Sequence, residues 1–317
     1  MPNIRRDRTS TARTRTPIPD EGDLRAAVRG IAGDVRFNAP LREYTSFKIG
    51  GPADVLVAPN QVEDLSRLMV QARAAKVPIF MIGGTNLLVQ DGGIRGVVIS
   101  LSKLKAITDE PNGVLYAEGG VIMPTLLQHA IGRSLSGLEW AAGIPGTVAG
   151  CVVMNAGTRL GEMKQAVKAV RMVDLRGRIR DYPAAEIPFS YRRAHLPRGI
   201  VVGVWLQLTP ADREHIQAVV KDYLRYRKAT QPLTLPNAGC AFKNPAMDAA
   251  GRLIEAAGLK GFKIGDAQVS EKHANFVVNL GHARAVDVIE LIKTVGQTVQ
   301  EKTGVRLELE LKIVGQP

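Results

Sequence analysis

Cys240 lies in Pro236-Asn237-Ala238-Gly239-Cys240-Ala241-Phe242-Lys243-Asn244-Pro245, a turn bounded by glycine and proline with a lysine and an amide close behind. Turns of this kind present side chains to clefts more often than they bury them. A thiol held there can serve as a nucleophile, a metal ligand or a proton donor. The other cysteine, Cys151, falls in a small apolar tract and reads as buried packing. The five histidines (His129, His195, His215, His273, His282) have no metal-ligand spacing to either cysteine or to each other, so no metal site is expected.

Three glycine clusters accompany the thiol. They are Thr45-Ser46-Phe47-Lys48-Ile49-Gly50-Gly51-Pro52, Met81-Ile82-Gly83-Gly84-Thr85-Asn86-Leu87-Leu88 and Gly143-Ile144-Pro145-Gly146-Thr147-Val148-Ala149-Gly150. Consecutive glycines let backbone N–H groups converge into an anion nest, whose natural occupant is a pyrophosphate. The spacing is neither Gly-x-Gly-x-x-Gly nor a P-loop with its Lys-Ser/Thr, so a dinucleotide fingerprint and nucleotide hydrolysis are both disfavoured. The third cluster continues into Cys151-Val152-Val153-Met154-Asn155-Ala156-Gly157, small enough for a large flat ligand to lie against backbone. Each cluster alone is an ordinary turn; together they suit an extended cofactor.

The elements that must position these residues follow from periodicity. A helix is expected over 21–32 with Gly33 as its stop, a strand over 54–58, and a helix over 62–76 carrying Leu65, Leu68, Met69 and Ala72 on one face. Strands follow at 78–82, 97–101 and 115–118, then a helix at 124–134, a hairpin of 167–174 with 178–181 around Arg176-Gly177, and a strand at 200–208. A helix at 212–227 precedes a change of composition at Gln231-Pro232-Leu233-Thr234-Leu235-Pro236. Beyond it come a helix at 251–257, a strand at 275–279, a helix at 286–303 and a last strand at 305–314. That last strand alternates Val305, Leu307, Leu309, Leu311 and Ile313 against Arg306, Glu308, Glu310 and Lys312.

The 317 residues are enough for two domains. The formal charge is +12, part of it on Arg5, Arg6, Arg8, Arg13 and Arg15 in a tail over 1–20 that reads as disordered. The remaining basic residues are scattered among acidic ones, without a stripe or interleaved aromatics, which argues against nucleic acid. A basic cleft for a small anionic ligand accounts for the charge equally well. No apolar run approaches the roughly 18–20 residues of a membrane helix and no secretory leader is evident, so a cytoplasmic protein and no membrane partner are expected. Two cysteines suit a reducing compartment. A monomer is expected.

Taken in order, Ser46-Phe47-Lys48-Ile49-Gly50-Gly51-Pro52-Ala53, Gly83-Gly84-Thr85-Asn86-Leu87-Leu88 and Gly143-Ile144-Pro145-Gly146-Thr147 resemble the FAD-binding motifs of the UDP-N-acetylenolpyruvoylglucosamine reductases. The likeness runs from about residue 40 to 315. It implies an α+β fold: an FAD-binding domain of the vanillyl-alcohol oxidase type over 21–211, in two subdomains, and a smaller α+β substrate-binding domain over 212–317 whose last strand returns towards the flavin. It implies non-covalent FAD held by Ser46, Ile49, Gly50, Gly51, Gly83, Gly84, Thr85, Asn86, Leu87, Gly143, Ile144, Gly146, Thr147 and Gly150. NADPH would be the co-substrate and UDP-N-acetylglucosamine enolpyruvate the substrate, reduced to UDP-N-acetylmuramate for peptidoglycan synthesis.

The same resemblance carries the catalytic roles. Phe189-Ser190-Tyr191-Arg192-Arg193 matches a Tyr-Arg motif and makes Arg192 the catalytic arginine. Residues 305–311 match a Leu-Glu-Pro-Glu pattern, with Leu309 where the family has proline and Glu310 as catalytic glutamate. Cys240 stands where the family's proton-donating serine usually lies. Tyr191, Lys243 and Asn244 would contact substrate. The short span from Leu208 to Cys240 leaves no room for a tyrosine-bearing loop and implies the loop-lacking subgroup. A fixed guanidinium suits charge building on the substrate carboxylate. A thiol is a better acid than serine as long as it stays protonated, and Lys243 or Arg192 nearby would oppose that. Two rival readings remain open. One is a flavin oxidase of alcohols or sugars, which would want a base; the other is a basic binding module without flavin.

Overall fold

The computed structural model describes residues 19–317. The tail read over 1–20 lies outside them, save its last two residues. Asp20 caps the first helix, Glu21–Ala27, by accepting from Asp23 N at 2.7 Å. The helix expected to reach residue 32 ends there. Gly33 opens a strand, Gly33–Pro40, rather than closing a helix, because this segment finds an antiparallel partner in Pro52–Pro59.

Pro52–Pro59 is buried along most of its length, and its other edge pairs in parallel with Ile94–Ser100, which in turn pairs with Ile79–Ile82. Val62–Ala74 crosses between Pro52–Pro59 and Ile79–Ile82, burying Leu65, Leu68, Met69 and Ala72 as its spacing predicts. Each of those leucines is fully buried and stabilises the fold by about 2 kcal/mol. A second sheet is antiparallel throughout, in the order Ile179–Pro183, Val167–Asp174, Gly199–Gln207, Val114–Glu118, Ile107–Glu110. The two sheets and the helix Met123–Gly132 enclose one continuous core.

A smaller antiparallel sheet, Asn237–Cys240, Phe276–Asn279, Ala267–Val269, Lys263–Ile264, forms a second core with Ala250–Ala256 and Ala285–Thr303. The helix Arg213–Thr230 buries Ile216, Val220 and Tyr223 in the first core. The expected boundary at 212 and the packing therefore differ: the change of core comes after this helix.

The final strand departs furthest from expectation. Only Lys312–Val314 is strand, running parallel to Leu87–Val89. Residues 305–311 make a single bridge, Leu309 to Phe242, and Leu309 is 40% exposed. Alternation requires a sheet to lie on, and this segment is held instead by isolated bonds to the Cys240 turn: Lys243 N to Glu308 O at 2.8 Å and Glu310 N to Ala241 O at 2.9 Å.

Candidate active site

All three glycine clusters meet. Thr147 Oγ1 donates to Gly83 O at 3.2 Å and accepts from Gly150 N at 3.2 Å, capping the helix Val148–Val153 that the sequence reading did not foresee. Ser46 Oγ donates to Thr85 O at 3.1 Å and ties the first cluster to the second. The approach is close: at Gly146, with φ of +103°, a Cβ would sit 3.0 Å from Thr85 Cγ2. Backbone at this crossing lies open to a ligand because no side chain fills it.

Two cavities open on either side of the crossing and share Ser46, Gly83, Gly84, Thr85, Gly146 and Thr147. One, of about 440 Å³, runs between Ser100–Ser102 and Gly120–Ile122. The other, of about 640 Å³, extends past Asn86, Gly143, Ile144 and Gly150 to Arg192, Cys240 and Glu310. The two lobes suit a ligand with a phosphate waist and a group at either end.

Arg192 reaches the larger cavity from a tight turn. Phe189–Ser190 pairs with Arg193–Ala194, leaving Tyr191 and Arg192 as the turn itself, and Arg192 takes φ of +57°. A non-glycine residue in that region costs on the order of 1 kcal/mol, and such outliers gather at functional sites. Its Nε donates to Glu310 Oε1 at 3.1 Å, and its guanidinium carbon lies 4.9 Å from the Tyr191 ring centre. Glu310 is half-buried, and that burial pushes its carboxyl above the ordinary range against the pull of Arg192.

Cys240 ends the strand Asn237–Cys240 opposite Phe276. The turn after it is fixed by Asn275, whose Oδ1 accepts from Phe242 N at 2.9 Å and whose Nδ2 donates to Phe242 O at 2.8 Å. Burial pushes the Cys240 thiol up to about 12, Glu310 adds to this, and Arg192 and Arg227 act against it. The thiol is therefore protonated at neutral pH, and the feared conversion to thiolate by Arg192 or Lys243 does not arise. Cys151 is pushed to about 12 by burial alone, in keeping with a packing role.

Tyr191, Lys243 and Asn244 line a separate pocket of about 460 Å³ with Ser190, Arg306 and Glu308. Asn244 has a structural duty as well, its Oδ1 accepting from Ala250 N at 3.1 Å at the start of a helix. Ile49, Gly50, Gly51 and Leu87 line none of these cavities. Ile49 and Leu87 are core residues at 3% and 7% exposure. A Cβ on Gly51 would lie 2.0 Å from Asp91 O, so this glycine permits close backbone packing behind the site.

Sequence reasoning missed Arg227. It is 7% exposed, donates from Nη1 to Ala142 O at 3.0 Å and from Nε and Nη2 to Gln231 Oε1 at 2.9 and 2.8 Å, and lines the larger cavity with no carboxylate partner among the described residues. Burial lowers its pKa. Arg159, stacked 3.9 Å above the Tyr226 ring centre, was missed as well. Neither carries a sequence signal, since both are basic residues in a basic chain. Gly119-Gly120 did carry one, a glycine pair at the end of Val114–Glu118 like the pair at Gly83. Among the described residues no cluster of His, Cys, Asp or Glu could hold a metal ion, and no helix is long and apolar enough to cross a membrane.

Residues 53–182 match the model of an FAD binding domain, and residues 231–314 that of the UDP-N-acetylenolpyruvoylglucosamine reductase C-terminal domain. The chain is 46% identical over 92% of its length to UDP-N-acetylenolpyruvoylglucosamine reductase 2 of Symbiobacterium thermophilum, covering 96% of that protein. It is 44% identical over 90% to the reductase of Syntrophus aciditrophicus, covering 94% of it. The crystal structure of the reductase from Thermus caldophilus superposes with a TM-score of 0.77 at 41% identity, over 90% of this chain and 100% of the other.

Proposed function

This chain belongs to the UDP-N-acetylenolpyruvoylglucosamine reductase family, and we propose that it reduces UDP-N-acetylglucosamine enolpyruvate to UDP-N-acetylmuramate in peptidoglycan precursor synthesis. NADPH is the reductant and FAD the non-covalent cofactor. The cradle fits a flavin dinucleotide. Amides of Gly83, Gly84 and Thr85 suit a pyrophosphate at the waist, and the small-residue wall at Gly146 and Gly150 leaves room for a flat ring. When bound, FAD supplies the relay that passes hydride from NADPH to the enolpyruvyl β-carbon.

The protein's own groups manage the charge that follows. Arg192 carries two Nη groups beyond its bond to Glu310, enough to grip the substrate carboxylate as negative charge builds on it. Glu310 accepts from Arg192 Nε and so aims that guanidinium at the same carboxylate, while burial raises its own carboxyl pKa. Cys240 delivers its S–H proton to the α-carbon and recovers one from solvent. Its raised pKa keeps that proton available at neutral pH. Tyr191 holds the Arg192 guanidinium against its ring, and Lys243 and Asn244 receive the nucleotide end of the substrate.

We assign the cofactor to the unit ending at Thr230 and the substrate nucleotide to the unit beyond it. The loop-lacking subgroup is supported by how the chain from 209 to 236 is spent: a two-residue strand, the helix Arg213–Thr230 and a short turn. The two free thiols support a cytoplasmic setting. The monomer is tested by size-exclusion chromatography.

The observation that carries this reading is the Arg192–Glu310 pair converging with Cys240 on one glycine-walled cavity. Purified protein is expected to show a flavin spectrum and to oxidise NADPH stoichiometrically with the enolpyruvyl nucleotide. Protein that cannot be reconstituted with FAD, or NADPH oxidation by O₂ at the same rate without that substrate, overturns it.

A further inference from the structure

The pocket beside the active site contains an ion pair that bears on substrate affinity. Lys243 Nζ is bonded to Glu308 Oε1, while the lysine side chain is 35% exposed and the glutamate 75%. The pairing is built into the backbone: Lys243 N donates to Glu308 O at 2.8 Å and Leu309 bridges Phe242, so the two side chains lie across from each other on neighbouring segments. Arg306 lines the same pocket and has no hydrogen-bond or ion-pair partner among the described residues. Tyr191 places the pocket next to Arg192.

We infer that Glu308 is an internal competitor for Lys243, displaced by a phosphate of the substrate's diphosphate, and that Arg306 is the second cation gripping that diphosphate. This rests on the substrate reading above and adds to it two residues. An extended chain advances about 3.3 Å per residue, so Glu308 stands roughly 7 Å along the segment from Glu310. That is on the order of the separation between an enolpyruvyl carboxylate and the nearer phosphate across one hexose. Lys243 alone would meet two phosphates with one charge, and Glu308 cancels that charge. Arg306 restores the balance, and its planar fork suits phosphate oxygens. Because Glu308 is exposed, its hold on Lys243 is weak enough for a phosphate to break.

The test compares Glu308→Gln, Arg306→Ala and the parent, reading the Kd for UDP from flavin absorbance changes and the KM for the enolpyruvyl nucleotide. Glu308→Gln is expected to lower both constants two- to fivefold, with the gain shrinking as salt is raised. Arg306→Ala is expected to raise both about tenfold with a smaller effect on kcat. An unchanged or weaker UDP affinity in Glu308→Gln, or an unchanged one in Arg306→Ala, overturns the inference. Parental turnover of the enolpyruvyl nucleotide tests the substrate reading separately, so a failure of one is not mistaken for a failure of the other.

Discussion

The protonated state of Cys240 has a measurable consequence. Its pKa rises from 9.0 for an ordinary thiol to about 12. At pH 9 an ordinary thiol is half ionised, whereas Cys240 is ionised in about one molecule in a thousand, a difference of about 4 kcal/mol between the two forms. Alkylation by neutral iodoacetamide reads the thiolate. Slow access to the cavity would lower the rate at every pH, so the informative quantity is the midpoint of the pH profile rather than the absolute rate. Cleavage after Arg159 and Lys243 separates the two cysteines into different peptides, and mass spectrometry follows each one in the same digest. The alkylation rate at Cys240 is expected to climb about tenfold per pH unit through pH 10.5 without a plateau. A plateau with a midpoint below about 10 would refute the argument that burial and Glu310 outweigh Arg192 and Arg227.

The same shift couples to folding. The native chain holds the Cys240 proton to a higher pH than the unfolded chain does. The associated stability is therefore fully present below about 9 and is lost as pH rises towards 12. The loss is about 1.4 kcal/mol per pH unit for each such thiol. Cys151 shares the behaviour, and desolvation raises the phenols of Tyr116 and Tyr191 as well, so Cys240→Ser is expected to reduce, not abolish, the alkaline slope in urea titrations.

Glu310→Gln removes a carboxyl that burial has pushed up. Native Glu310 keeps its proton to higher pH than the unfolded chain, so its stability contribution is lost as pH rises above the ordinary carboxylate range. The variant is expected to melt no lower than the parent at pH 8 while kcat falls on the order of a hundredfold; a lower melting temperature together with intact turnover would contradict this. Gly146→Val, at φ of +103° and facing Thr85, is expected to purify without flavin absorbance. Arg227→Met leaves Ala142 O and Gln231 without their donors and loosens the loop at Gly143, weakening FAD retention about tenfold in dialysis or fluorescence titration.

Much of the frame was legible because its signals are local. Leu65, Leu68, Met69 and Ala72 lie on one side of their helix wherever that helix packs, and Pro124 suits a first turn whatever follows it. Residues 33–40 were not legible. Val35 and Phe37 face different surroundings, only Ala39 in that strand is buried, and its pairing with Pro52–Pro59 is set by a partner that periodicity cannot see. Strand propensity at such an edge depends on its neighbour.

The site separates along the same line. Glycines whose missing Cβ opens a cavity, such as Gly146, cannot be told by sequence from those whose missing Cβ lets two backbones touch, such as Gly51. Both read as glycine in a cluster, which is why the motif at 45–52 contributes Ser46 to the cavity wall and its glycines to packing. The charged groups show the limit more sharply. Arg192 and Glu310 are 118 positions apart, and Glu310 looks like an outward residue on an alternating strand. The alternation was real in composition but had no sheet to act on. Once residues 305–311 leave the ladder, inside and outside are decided by what the segment crosses, and it crosses the turn that carries Cys240. A carboxylate that pattern alone assigns to solvent is thereby half-buried against a guanidinium, which raises its pKa, and its charge in turn helps to raise that of the neighbouring thiol.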